Sequence, residues 1–145
     1  MSIEGGCRCG AVRYSLSIDR LPPIYACHCL ECQTWSGSAF SQQALLPESA
    51  VQITGPVVFY DRTTEDRTSH QRMCGICHTR LYNTNTRRPG IAVMRAGTLD
   101  DSHLLDVVAH IWVKRKQPWL ILPDGVPSWP ESAPPEEFFR VMMGA

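Results

Sequence analysis

The chain has 145 residues, the size of one domain, and its 43% hydrophobic content is enough for a core. Fourteen basic and fourteen acidic side chains cancel, which leaves no electrostatic footprint for nucleic acid or an anionic membrane surface. No apolar run reaches the length of a membrane span. The opening Met1-Ser2-Ile3-Glu4-Gly5-Gly6 has neither the basic nor the apolar region of a signal peptide, so a cytoplasmic location is expected.

Eleven prolines and ten glycines are spread along the chain, the pattern of short strands joined by turns. Ala11 to Ile18 alternates apolar and polar residues, which predicts a half-buried strand ended by Pro22-Pro23. Ile24 to Cys29 reads as a strand entering a cysteine-rich segment, and Ala39 to Leu46 as another strand. Pro47 to Ala50 is a turn or a single helical turn. Val51–Thr54 and Val57–Tyr60 are strands divided by Gly55-Pro56, and Asp61 to Glu65, without an apolar residue, reads as a polar turn. Strands are expected at Thr68–Met73, Arg80–Asn83 and Ile91–Ala96, with a loop around Arg87-Arg88-Pro89-Gly90. Val107 to Lys114 reads as a strand carrying Trp112, and Pro134 to Met143 as a terminal helix with prolines at its start and Gly144 at its end. The expected fold is mainly β with little helix, in a single domain over residues 1–145.

The seven cysteines carry the chemistry. A reduced compartment and an odd count both disfavour a disulfide framework. Cys7 and Cys9 form C-x-C, Cys27, Cys29 and Cys32 form C-x-C-x-x-C, and Cys74 and Cys77 form C-x-x-C. Alternate residues on a strand face one side, and a tight turn gathers a C-x-x-C, so each spacing aims sulfurs at one metal. Seven splits as four plus three. Cys7, Cys9, Cys74 and Cys77 complete a closed tetrahedral zinc site that joins distant segments, which is a structural site. Cys27, Cys29 and Cys32 leave one position open, the pattern of a catalytic zinc. Buried or redox-active thiols, or closure of the site by a histidine, are the other readings of the three. His28 lies between two of these cysteines, so its ring is expected to face away from their metal.

Gly5-Gly6-Cys7-Arg8-Cys9-Gly10-Ala11-Val12-Arg13-Tyr14 resembles the opening of the glutathione-dependent formaldehyde-activating enzyme family. Cys27-His28-Cys29-Leu30-Glu31-Cys32 with Ser36-Gly37-Ser38-Ala39-Phe40 is similar to its central motif, and Cys74-Gly75-Ile76-Cys77-His78-Thr79 to its late zinc knuckle. Gly97-Thr98-Leu99-Asp100-Asp101 and His110-Ile111-Trp112-Val113 are similar to its C-terminal motifs, so the resemblance runs from about Gly5 to about Trp129. It implies a β-tent of coiled antiparallel sheets around a structural zinc. It also implies two zincs per chain, held by the same four and three cysteines. Where the family has glycine after the second knuckle cysteine, this chain has His78, at a place that often needs a left-handed backbone. The implied activity is a carbon–sulfur lyase or synthase, joining glutathione or a similar thiol to formaldehyde or a related small electrophile, or the reverse.

Ser36, Gly37, Ser38 and Trp112 are candidates for substrate contact, set against a turn that satisfies its own backbone and an aromatic serving the core. Trp35 is a second aromatic candidate. Arginine outnumbers lysine 12 to 2, and Arg62, Arg67 or Arg95 could pair with substrate carboxylates. Two other classes stand beside the enzyme: a zinc-ribbon-like binding module with structural metal only, and a redox protein using Cys29 and Cys32. No Gly-rich phosphate loop and no Ser/His/Asp arrangement is present.

Overall fold

The computed structural model describes residues 2–144. Among them run β1 (Ile3–Gly6), β2 (Arg13–Leu16), β3 (Ile24–Cys27), α1 (Leu30–Ser36), β4 (Ser41–Pro47), β5 (Val51–Thr54), β6 (Val57–Thr63), β7 (Thr68–Cys74), β8 (Arg80–Asn85), β9 (Arg88–Arg95), β10 (Val107–Ile111) and α2 (Pro135–Met142). The expected mainly β fold, with two short helices, is what the chain adopts. It folds as two compact units, each assembled from separate stretches: the residues up to Pro22 with Ala44–Leu105, and Pro23–Gln43 with the residues from Asp106 onward.

In the first unit β1, β2 and β5 form an antiparallel sheet, with Gly5 opposite Tyr14 and Tyr14 opposite Ile53. Alternation puts Tyr14 and Leu16 into the core, where Val12, Leu81, Met94, Ala96 and Leu99 are also buried. Gly5 is required by this packing. The Tyr14 ring lies where a Cβ at position 5 would stand, and its hydroxyl bonds the Thr98 hydroxyl at 2.8 Å. From β6 to β9 the chain is an antiparallel meander.

Two turns fall elsewhere than the residue pattern predicts. β6 continues through the polar Asp61 to Thr63, because Asp61 meets His70 at 2.8 Å and Thr63 meets Thr68 at 3.1 Å across the hairpin. The turn then occupies residues 64–67, where the Thr64 hydroxyl accepts from the N–H groups of Asp66 and Arg67. Between β8 and β9 the Asn85 side chain accepts from the N–H of Arg87 and of Arg88, so the turn tightens to two residues and Pro89 and Gly90 join the strand.

In the second unit β3 pairs antiparallel with the start of β4 and parallel with β10. All four residues of β3 are buried. α2 starts with Pro135 at its first turn and buries Phe138 and Met142, four apart on one face. Phe138 meets Tyr25 edge to face at 4.9 Å and Trp129 at 6.2 Å. β10 ends at Ile111, short of the predicted Lys114, because Trp112 takes a left-handed backbone (φ 59°, ψ 35°) and Val113–Arg115 form a 3-10 turn. No described helix is long and apolar enough to cross a membrane.

Candidate metal centres

Cys7 follows β1, Cys9 lies in the turn before β2, Cys74 ends β7, and Cys77 closes the knuckle after it. Their four sulfurs all lie within 4.8 Å of one another, with Cys7 to Cys9 at 3.5 Å and Cys9 to Cys74 at 3.8 Å. A disulfide needs about 2.05 Å, whereas four thiolates at about 2.3 Å from a zinc stand about 3.8 Å apart. The observed spacings therefore fit the edges of a zinc tetrahedron and exclude a disulfide. Backbone N–H groups already face the sulfurs: Val12 to Cys7 at 3.3 Å, Ile76 to Cys74 at 3.4 Å and Cys77 to Cys74 at 3.5 Å.

His78 carries the positive φ (60°) expected directly after the knuckle, and its N–H closes the turn on the Cys74 carbonyl at 3.0 Å. Thr79 binds the two halves of the site together. Its hydroxyl accepts from the Arg8 N–H at 3.2 Å and lies within hydrogen-bond distance of the Cys77 sulfur, 3.1 Å away. The Thr79 hydroxyl, with its backbone N–H, pulls the Cys77 thiol down to about 5.

Cys27, at the end of β3, Cys29 and Cys32 form the second cluster, again within 4.8 Å, and it has three members among the described residues. The reason lies in α1, which residue patterning did not reveal. Cys29 is its N-cap, in extended conformation (ψ 155°), and its sulfur accepts from the Cys32 N–H at 3.3 Å. One turn of helix thus brings Cys32 over Cys29. Hydrogen bonds from the Cys27 and Cys32 thiols, then from the Cys32 and Glu31 N–H groups, hold Cys29 down to about 2, while the Cys29 and Cys32 sulfurs, with burial, push Cys27 strongly upward. Three sulfurs this close cannot all ionise without a cation between them, and the donor set is the soft one zinc prefers. Both clusters therefore suit the metal. The Gln43 side chain, buried on β4, donates to the Cys32 sulfur at 3.7 Å and to the Ser41 hydroxyl at 3.2 Å.

His28 turns away from this cluster, as strand alternation requires. It is fully buried, its Nε2 lies 2.9 Å from His110 Nδ1, and Phe40 packs on it at 5.3 Å. Burial, with His110 and Lys116 nearby, lowers it to about 4, so the ring is neutral at pH 7. Ser36, Gly37 and Ser38 form the stop of α1. Gly37 is left-handed (φ 65°) and donates to the Gln33 carbonyl at 2.9 Å, and the Ser36 hydroxyl accepts from the Ser38 N–H at 3.2 Å. The hydrogen bonds of these three residues close the turn.

The sequence profile of the glutathione-dependent formaldehyde-activating enzymes matches residues 2–115. The chain belongs to that family. A similar fold is seen in a structural-genomics crystal structure of a Rhodobacter sphaeroides protein. It superposes with a TM-score of 0.54 at 17% identity, covering 67% of this chain and 87% of that one. No curated protein matches the sequence. The family's formaldehyde-activating chemistry is a thiol chemistry, and both cysteine clusters fall within the matched residues.

Proposed function

We propose that the protein is a zinc-dependent carbon–sulfur lyase that joins a small thiol, glutathione or one like it, to formaldehyde or a related small electrophile, and catalyses the reverse cleavage. The observation that carries this reading is the three-membered thiol cluster of Cys27, Cys29 and Cys32, beside a separate four-membered one. The four-membered set is complete as a tetrahedron and serves the fold; the three-membered set leaves room for one further ligand. Zinc held by Cys27, Cys29 and Cys32 supplies that open position and lowers the pKa of a thiol filling it.

Overall, the thiol sulfur forms a bond to the carbonyl carbon as the C=O π bond breaks, and the thiol proton ends on the new carbinol oxygen. The chain's own contribution is placement. Cys29 and Cys32 are fixed by one helical turn, and Cys27 by the buried strand β3. Gln43 directs an N–H at the Cys32 sulfur, which draws charge off that ligand. His28, neutral and engaged with His110, packs behind the loop.

Exchange NMR at equilibrium tests the reading, because an enzyme speeds interconversion of glutathione, formaldehyde and adduct without moving the equilibrium. The wild type should accelerate exchange and Cys29→Ser should not, and a cobalt-loaded sample should change its absorption on adding the thiol. Equal exchange rates reject the reaction. A cobalt spectrum that responds to no thiol would favour the binding-module alternative.

A further inference from the structure

We infer that a polarised relay of side chains, Trp119 to Gln117 to Gln33, holds the three-thiol loop in ligating shape, which makes Gln33 a positioning residue for the second metal centre. The inference rests on the reading of Cys27, Cys29 and Cys32 as metal ligands.

The relay begins at a group that can only donate. The Trp119 indole N–H lies 2.6 Å from Gln117 Oε1, and an indole nitrogen accepts nothing. The Gln117 carboxamide is therefore fixed with its oxygen toward the indole and its NH₂ toward Gln33, where it donates to Oε1 at 3.2 Å. With its oxygen so occupied, the Gln33 carboxamide turns its NH₂ the other way. There the NH₂ finds two backbone acceptors, the His28 carbonyl at 2.8 Å and the Arg115 carbonyl at 2.9 Å. Reversing any one amide would set oxygen against oxygen or NH₂ against NH₂, so the direction of every link follows from the indole.

The two carbonyls define the purpose. His28 sits between ligands Cys27 and Cys29, and Gln33 directly follows ligand Cys32, so the first bond closes across the ligand loop. The second bond ties that loop to the 3-10 turn after β10, 82 positions along the chain. The His28 N–H adds a backbone bond to the Ile111 carbonyl at 3.0 Å. The strand-to-helix junction at residues 28–29 is thereby held on both of its peptide faces. Gln33 touches no ligand sulfur itself; it acts through the backbone that carries them. The relay also explains an indole that is 68% exposed yet hydrogen-bonded inward.

The test is zinc release from the loaded wild-type protein to a chromogenic chelator, followed as one phase per site, with thermal melting in parallel. Gln33→Glu keeps shape but loses both donors. Gln117→Glu keeps the Trp119 bond but faces Gln33 Oε1 with an acceptor. Trp119→Phe removes the donor that sets the direction. In both glutamate variants one zinc should leave about 10–100-fold faster, with the other phase and the melting midpoint unchanged. Trp119→Phe should give about a threefold to tenfold acceleration of the same phase, the loss of one hydrogen bond. Two zincs in the wild type with unchanged release in all three variants overturn the relay and leave the metal reading standing. A single zinc in the wild type overturns both. If Gln33→Glu does not fold, Gln117→Glu and the exposed Trp119→Phe decide alone, and wild-type release in both overturns the relay.

Discussion

Replacing Cys74 with serine should unfold most of the molecule, and the size of the effect follows from where the sulfur stands. Cys74 is fully buried and its site joins residues 65 positions apart, Cys9 and Cys74. Closing a ring of that length removes about 4 kcal/mol of chain entropy from the unfolded state on the cross-link model. The same estimate for the five-position ring from Cys27 to Cys32 is about 2 kcal/mol. Serine also loses the soft ligand, and its smaller hydroxyl must satisfy the N–H groups of Ile76 and Cys77 that now face sulfur, a further cost of about 1–3 kcal/mol. Together these approach the whole stability of a domain, about 5–15 kcal/mol. Urea unfolding followed by far-UV circular dichroism, wild type against Cys74→Ser, measures the loss directly. A variant whose unfolding free energy stays within about 1 kcal/mol of wild type would remove Cys74 from any cross-linking site and refute the reasoning.

Three smaller perturbations separate the remaining parts. Cys29→Ser should keep the circular dichroism spectrum and lose one zinc per chain by elemental analysis; collapse of this variant with survival of Cys74→Ser would exchange the two roles. Gly5→Ala should cost about 1–3 kcal/mol in chemical denaturation, because the new methyl meets the buried Tyr14 ring and the Thr98 carbonyl; a neutral result would show that β1 shifts freely. Asp100 is held below the ordinary carboxylate range by the Arg13 guanidinium, so its stabilisation is present above about pH 4 and is lost as the pH falls through the lowered value. Both side chains are nearly half exposed, so Asp100→Asn should cost less than about 1 kcal/mol at pH 7. That difference should shrink as the pH falls through the lowered value, and a difference that grows on acidification would reverse the assignment.

Much of this architecture can be read from residues that act locally. Alternation around Tyr14 and Leu16 marks a half-buried strand because the pleat sorts side chains by parity. The cysteine spacings mark two clusters able to hold a metal because C-x-C and C-x-x-C converge by local geometry, and the left-handed His78 follows from its place after the knuckle. What stayed hidden depends on partners remote in the chain or on faces without contrast. α1 buries none of its seven residues, so it has no apolar stripe to betray it, and its cap is a cysteine. The end of β10 at Ile111 rests on a left-handed tryptophan, which no strand-forming tendency foreshadows. Gln33 and Gln117, 84 positions apart, read singly as ordinary polar residues; their direction exists only once the fold sets them beside Trp119.

The division of each unit into separated stretches fixes an order in time. On a growing chain the four-thiol centre has all its ligands once residue 77 has emerged. The three-thiol loop has its ligands by residue 32 but waits for β10 and the turn after it, whose contacts to the loop arrive 82 positions later. At about 5–20 residues per second that is a delay of about 4–16 s, during which β3, buried along its whole length in the finished fold, has no β10 beside it. Metal binding at the four-thiol cluster could thus secure part of the first unit while the second is still unmade, and the three-thiol cluster would be completed last.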